Sequence, residues 1–153
     1  MPLHLGILQT DSVLEDLQPR FGDYPSMFEG LFRAEDPTMN ITTYNVQHAL
    51  PDSLDCDAYL ITGCKLSVYD DLPWIRELAE FVRQAIAAKK KILGICFGHQ
   101  LIAHFFGGEA GPAPVGWAVG VQTSDVVLNP RWMNAVGVPP SQLNLVSSHK
   151  DQV

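Results

Sequence analysis

The chain has 153 residues, of which 46% are hydrophobic and 18% are charged, and its formal net charge is -7. This is the composition of a globular protein with a real core, and it excludes a disordered chain. Basic residues are not interleaved with aromatic ones, and the apolar runs are too short to cross a bilayer, so we expect neither a nucleic-acid partner nor a membrane partner.

The three cysteines stand at irregular spacing and do not form a disulfide framework. No CxxC pair and no cluster of histidine and cysteine suggests a metal site. We therefore predict reduced thiols in a cytoplasmic protein, with no metal and no cofactor. The first residues lack the basic and small-residue features of a signal peptide, and residues 3–10 form an apolar run typical of a buried strand.

Strand and helix patterns alternate along the next hundred residues. The apolar spacing predicts an apolar helix face made of Ile75, Leu78, Ala79, Val82 and Ile86. The order predicts an α/β fold, with an open, mostly parallel sheet and helices on both faces. The predicted strands are 3–10, 39–46, 58–62 and 92–95, and the predicted helices are 26–34, 72–88 and 99–106.

The pattern changes after Gly111, where prolines and glycines become frequent. The alternating stretch 119–128 predicts a β-hairpin addition after the last helix, and residues 142–147 predict one more strand. There are no internal repeats and no low-complexity tract. We therefore expect residues 1–153 to form a single domain.

The informative motif is Gly94-Ile95-Cys96-Phe97-Gly98, which joins a predicted buried strand to a predicted helix. It has the pattern of a nucleophile elbow, with cysteine in place of serine. Glycines two residues to either side remove side chains that would collide in so sharp a turn. The turn would present the sulfur at the carboxyl edge of the sheet, where the following helix N-terminus favours a thiolate.

With His99-Gln100 added, this motif resembles the signature of class I glutamine amidotransferase domains, as in GMP synthase and its stand-alone relatives. The resemblance implies a flavodoxin-like sheet and covers nearly the whole chain. Further matching segments are Leu8-Gln9-Thr10-Asp11, Gly22-Asp23-Tyr24, Met27-Phe28, Ile61-Thr62-Gly63, Ser67-Val68-Tyr69-Asp70-Asp71, Pro73-Trp74-Ile75, Gly116-Trp117-Ala118-Val119-Gly120 and Ser148-His149-Lys150-Asp151-Gln152-Val153.

The resemblance implies hydrolysis of the glutamine side-chain amide through a cysteine thioester, with ammonia passed to an acceptor or an ammonia-accepting synthetase. Cys96 resembles the nucleophile. The backbone N–H of Phe97 resembles one oxyanion-hole donor, and the loop at Gly63 and Cys64 resembles the source of the other. The substrate contacts implied by the resemblance are Gln100 and Ser148.

Two departures from the family pattern stand out. Many relatives have Gly-Gly-Pro or Gly-Ser where this chain has Gly63-Cys64-Lys65, so the geometry of the second donor stays open, as does a catalytic role for Cys64. The family also takes its acid–base pair from a His-x-Glu further downstream, and none occurs in this sequence. Among the histidines, His149 is the candidate site-lining residue.

We therefore expect a chain that lacks the C-terminal part with the His-x-Glu pair and shows little glutaminase activity alone. The alternatives are a non-catalytic glutamine-binding module and a γ-glutamyl peptidase-like cysteine hydrolase. A PfpI-type hydrolase is disfavoured, because those proteins carry histidine directly after the nucleophile, where this chain has Phe97.

Overall fold

The computed structural model describes residues 2–128, 130, 133 and 140–153. The chain divides into two compact units, one formed by residues up to Gly111 together with Val153, the other by Pro112–Gln152. Within the described residues, no helix has both the length and the apolar character needed to span a membrane.

The described residues of the first unit form four main strands and four helices. Its elements in chain order are β1 (His4–Gln9), α1 (Gln18–Phe21), α2 (Tyr24–Glu35), β2 (Asn40–Asn45), β3 (Ala58–Ile61), α3 (Pro73–Ala87), β4 (Lys91–Gly94) and α4 (Phe97–Phe105). A two-residue strand, β5 (Gly111–Pro112), follows α4.

The four strands of the first unit form one parallel sheet in the order β2-β1-β3-β4. The register places Leu8 of β1 beside Ile61 of β3, and Ile61 beside Gly94 of β4. Because the strands are parallel and in register, their carboxyl ends meet at one edge. This sheet with its helices confirms the predicted α/β fold class.

Helix α3 supplies much of the core around the sheet. Ile75, Leu78, Ala79 and Val82 are buried as predicted. The prediction for Ile86 was wrong, because 45% of that residue is exposed. Phe81 and Ala85, which the apolar spacing did not select, are buried in the second half of the helix instead.

The segment between the predicted strand 3–10 and the predicted helix 26–34 differs from the prediction, which placed no element there. It contains the short helix α1, and α2 begins at Tyr24, two residues before the predicted start. The start of α2 has ordinary causes: Asp23 accepts the Tyr24 N–H at 2.8 Å, Ser26 accepts the Asp23 N–H at 3.0 Å, and Pro25 lies in the first turn.

The second unit contains strands β6 (Ala118–Asp125), β7 (Gln142–His149) and β8 (Asp151–Gln152). Strands β6 and β7 pair antiparallel along their full length, from Ala118 opposite His149 to Asp125 opposite Gln142. This pairing confirms the predicted β-hairpin addition and the predicted strand at residues 142–147.

Candidate functional site

Cys96 lies at a sharp turn between β4, which ends at Gly94, and α4, which begins at Phe97. Its φ is 53° and its ψ is -105°, a left-handed backbone conformation that is costly for a residue with a side chain. The residue is exposed, at the carboxyl edge of the sheet. The predicted strand–turn–helix geometry around this cysteine is therefore present, and the sulfur does not lie in packed hydrocarbon.

The two glycines of the motif are required by close backbone approach. A Cβ on Gly98 would lie 2.6 Å from the carbonyl oxygen of Ile61 and 2.7 Å from the Ile61 Cβ. A Cβ on Gly94 would lie 2.5 Å from the carbonyl carbon and oxygen of Gly98. The start of α4 thus packs directly on β3 and β4, which leaves no space for any side chain at either position.

The loop after β3 lies next to Cys96. A Cβ on Gly63 would lie 3.6 Å from the Cys96 Cβ, an ordinary van der Waals contact. Two N–H groups of this loop are already committed: Thr62 donates to the Leu8 carbonyl at 3.2 Å, and Lys65 donates to the Asp11 carboxylate at 3.0 Å. Gly63 and Cys64 lie between these two residues in the chain, so their N–H groups are the candidates for the second oxyanion donor.

Two buried threonines connect the loop after β1 to the loop after β3. The backbone N–H of Thr10 donates to the Thr62 hydroxyl at 3.0 Å. The Thr10 hydroxyl donates to the Gly63 carbonyl at 2.9 Å and lies 3.0 Å from the Thr62 hydroxyl. These bonds extend the connection between β1 and β3 beyond the end of the sheet, so Gly63 is held beside Cys96.

The environment of Cys64 favours its neutral thiol. Burial raises the pKa of Cys64 to about 11, and the nearby Asp11 carboxylate also raises it, although the Leu66 N–H, 3.4 Å from the sulfur, acts in the opposite direction. Since the thiolate is the nucleophilic form, this raised pKa keeps Cys64 largely unreactive at neutral pH. A catalytic role for Cys64 is therefore disfavoured, while its backbone remains in the site.

Tyr24 is a further half-buried residue of the site. Burial raises the pKa of its phenol, and the Asp11 carboxylate and the Cys96 sulfur raise it further. The phenol therefore stays protonated and can donate a hydrogen bond at neutral pH.

A cavity of about 510 Å³ opens beside Cys96. Its lining is mostly apolar, with polar groups contributed by the loops that follow β1 and β3. Several of the apolar side chains are partly exposed in the free protein. The lining residues are Asp11, Ser12, Val13, Leu14, Leu17, Tyr24, Phe28, Gly63, Cys64, Lys65, Ile95 and Cys96.

The other predicted site residues are placed as follows. Gln100 is buried on α4, one turn after Cys96, and its N–H donates to the Cys96 carbonyl at 3.0 Å. Ser148 and His149 lie on β7 in the second unit. The His149 Nδ1 lies 2.8 Å from the Asp151 carbonyl oxygen, which can only accept, so Nδ1 carries a proton in this bond. The substrate contacts of Gln100 and Ser148 and the site-lining role of His149 stay predictions.

Sequence reasoning missed Asp11 and Tyr24 as members of the site. Asp11 stands two residues after β1, at the same sheet edge as Cys96, and this position alone could have indicated it. Tyr24 gave no such signal, because it reaches the site from the first turn of α2.

The family model for class I glutamine amidotransferases matches residues 31–144. A glutamine amidotransferase-like protein of Schizosaccharomyces pombe is 31% identical over 133 residues, which are 78% of this chain and 54% of the relative. Gamma-glutamyl peptidase 3 of Arabidopsis thaliana is 30% identical over 146 residues, 91% of this chain and 58% of the relative.

The chain thus spans somewhat more than half the length of these two curated relatives. Among solved structures, a glutamine amidotransferase of Thermotoga maritima superimposes with a TM-score of 0.79 at 15% identity, covering 99% of this chain and 62% of that one. This structural likeness shows a shared fold. The match of the family model over most of the sequence shows that the chain belongs to the class I glutamine amidotransferase family.

Proposed function

We propose that this chain carries the nucleophile half of a site that hydrolyses the side-chain amide of glutamine, with Cys96 as the nucleophile. The observation that supports this most is the left-handed turn of Cys96 at the carboxyl edge of the sheet, beside the loop at Gly63. Such a turn costs conformational energy, and strain of this kind is concentrated at functional sites.

The proposed reaction has two steps. The Cys96 sulfur attacks the amide carbon, the carbon–nitrogen bond breaks, and the nitrogen leaves as ammonia after gaining a proton. Water then cleaves the resulting thioester, which gives glutamate and returns the thiol. The ammonia passes to an acceptor, such as a partner synthetase. Glutamine is thus the proposed substrate, and no cofactor takes part.

Negative charge develops on the amide oxygen while the sulfur attacks. The N–H of Phe97 is the first in α4 and has no acceptor within that helix, so it is the first proposed donor. The second is the N–H of Gly63 or Cys64, as the committed N–H groups on either side of them suggest. Removal of one such donor typically slows catalysis about a hundredfold or more.

Selective labelling by a glutamine-mimicking diazo-ketone tests this proposal. We expect the reagent to alkylate Cys96 at least about tenfold faster than Cys56 or Cys64 at pH 7.5. The Cys96 thiol is exposed, whereas Cys56 is buried and Cys64 is half-buried, and both of these thiols have raised pKa values. Peptide mass spectrometry over a time course measures the labelling of each cysteine. As a control, Cys96→Ala should incorporate one equivalent of reagent less than the unaltered chain.

The pH dependence of the Cys64 thiol completes this test. In Cys96→Ala, alkylation of Cys64 by iodoacetamide should rise about tenfold per pH unit until the pH approaches its pKa of about 11. Equal labelling of all three cysteines at pH 7.5 would contradict the proposal, because it would show no specific presentation of Cys96.

The cavity favours a second candidate function, hydrolysis of γ-glutamyl amides whose nitrogen bears an apolar group. Partly exposed apolar side chains, including Leu14 and Leu17, line the space beside Cys96. Free ammonia has no apolar surface to bury against these side chains. An apolar leaving group would cover them, and binding would become more favourable by roughly 25 cal/mol for each Å² of apolar surface buried. A relative named gamma-glutamyl peptidase is consistent with this candidate.

The two candidates differ in how well their substrates protect Cys96. If the cavity holds the leaving group, the concentration that halves the rate of Cys96 alkylation by iodoacetamide should be about tenfold lower for γ-glutamyl-p-nitroanilide than for glutamine. Leu17→Asp should remove that advantage and leave protection by glutamine unchanged. Equal protection by both compounds in the unaltered chain would decide in favour of glutamine.

A further inference from the structure

The loop that follows β3 depends on a carboxylate from a distant part of the chain. Asp11 Oδ2 accepts the backbone N–H of Lys65 at 3.0 Å and lies 3.8 Å from the Cys64 sulfur. Asp11 Oδ1 lies 3.4 Å from the Lys65 ammonium. One side chain therefore contacts both residues that follow Gly63.

The hydrogen bond from the Lys65 N–H to Asp11 is stronger than the ion pair between Asp11 and the Lys65 ammonium. The Asp11 side chain is 13% exposed, but the Lys65 side chain is 75% exposed, so water screens their ion pair and it contributes little. A charge-assisted hydrogen bond to a backbone N–H fixes the direction of that peptide plane, and it is worth more than a bond between neutral groups.

We propose that Asp11 is the positioning residue that fixes the Cys64-Lys65 peptide and thereby keeps the adjacent N–H groups of Gly63 and Cys64 turned toward Cys96. By holding the Lys65 N–H on the side of β1, it leaves the two preceding N–H groups as the ones that can face the substrate oxygen. The Thr10–Gly63 bond fixes the other end of the same loop at 2.9 Å. This inference rests on the proposed function of the site.

The test compares two reagents on the full chain. A glutamine-mimicking diazo-ketone places its carbonyl oxygen where the oxyanion would form, whereas iodoacetamide reports only the reactivity of the thiolate. The ratio of their rate constants at Cys96 therefore isolates the oxyanion donors from any effect of the Asp11 charge on the sulfur. We expect Asp11→Ala to lower this ratio about tenfold, since one donor is misoriented rather than deleted.

Two control variants separate the hydrogen bond from the charge. Asp11→Asn keeps an oxygen that can accept the Lys65 N–H, and Lys65→Ala keeps the N–H but removes the ammonium. Both should keep the ratio within about twofold of the unaltered chain, because both keep an acceptor for the Lys65 N–H at position 11 and the exposed ion pair contributes little. The serine side chain of Asp11→Ser is too short for its oxygen to reach the Lys65 N–H, so this variant should show the same loss as alanine. It replaces the alanine variant in the test if that variant does not fold.

The inference is overturned if the ratio is unchanged in Asp11→Ala and Asp11→Ser, or if Asp11→Asn falls as far as they do. These results leave the proposed function intact when the unaltered chain still labels at Cys96. Absence of preferential Cys96 labelling in the unaltered chain would instead refute the proposed function, and this inference with it.

Discussion

Replacement of Gly98 with alanine is expected to lower the free energy of unfolding by about 3 kcal/mol. The new methyl group would lie 2.6 Å from the Ile61 carbonyl oxygen, a distance that real Cβ atoms do not show. Ile61 belongs to β3, which pairs with a strand on each side, so its backbone has little freedom to withdraw. Urea denaturation followed by circular dichroism measures the loss.

The matched control is Gly30→Ala, the same substitution in the helix α2. Nothing lies within 4 Å of the position that its Cβ would occupy, and the residue is exposed. Alanine has the higher helix propensity, so this variant should gain about 0.5–1 kcal/mol. Opposite signs at the two glycines would show that contact with β3 dominates at Gly98. A loss below about 0.5 kcal/mol there would contradict the close packing of α4 on β3.

Truncation of Leu78 to alanine should cost about 2–5 kcal/mol of unfolding free energy. Leu78 is fully buried in α3 within the larger hydrophobic cluster of the first unit. Its truncation removes apolar contacts and leaves a cavity that the surrounding side chains fill only in part. The unfolding free energy, determined by urea titration at constant pH, provides the measurement.

Ile86→Ala is the control for this truncation, because Ile86 lies in the same helix and loses a similar volume of hydrocarbon. Since 45% of Ile86 is exposed, its truncation should cost less than about 1 kcal/mol. Equal costs for the two variants would mean that Ile86 packs as the apolar spacing predicted, and that the face of α3 described above is wrong.

This contrast also shows how far the sequence alone specifies the fold. The period of apolar residues was enough to predict α3 and most of its buried face. It could not predict how that face turns along the helix, from Ile75 and Ala79 in the first half to Phe81 and Ala85 in the second. A helix that packs on a twisted sheet is expected to shift its buried face in this way, and sheet twist is a tertiary property.

The candidate site divides in the same way. The turn at Cys96 could be predicted because its requirements are local: a strand, two glycines and a helix within a few residues. Asp11 and Tyr24 could not be assigned roles, because the contact of Asp11 with Cys64 and the electrostatic effect of Cys96 on Tyr24 each span more than fifty residues of chain. A carboxylate in a polar loop is ordinary in sequence, and only the pairing of β1 with β3 brings it to Lys65.

The left-handed backbone of Cys96 has one more consequence. That conformation persists only while the sheet and α4 impose it, so an unfolded chain would hold three cysteines of nearly equal chemical character. A reagent's preference for Cys96 over the other two cysteines is then a property of the folded molecules and not of cysteine itself. The pattern of modified cysteines in a heated sample would report what fraction of molecules had kept their tertiary order.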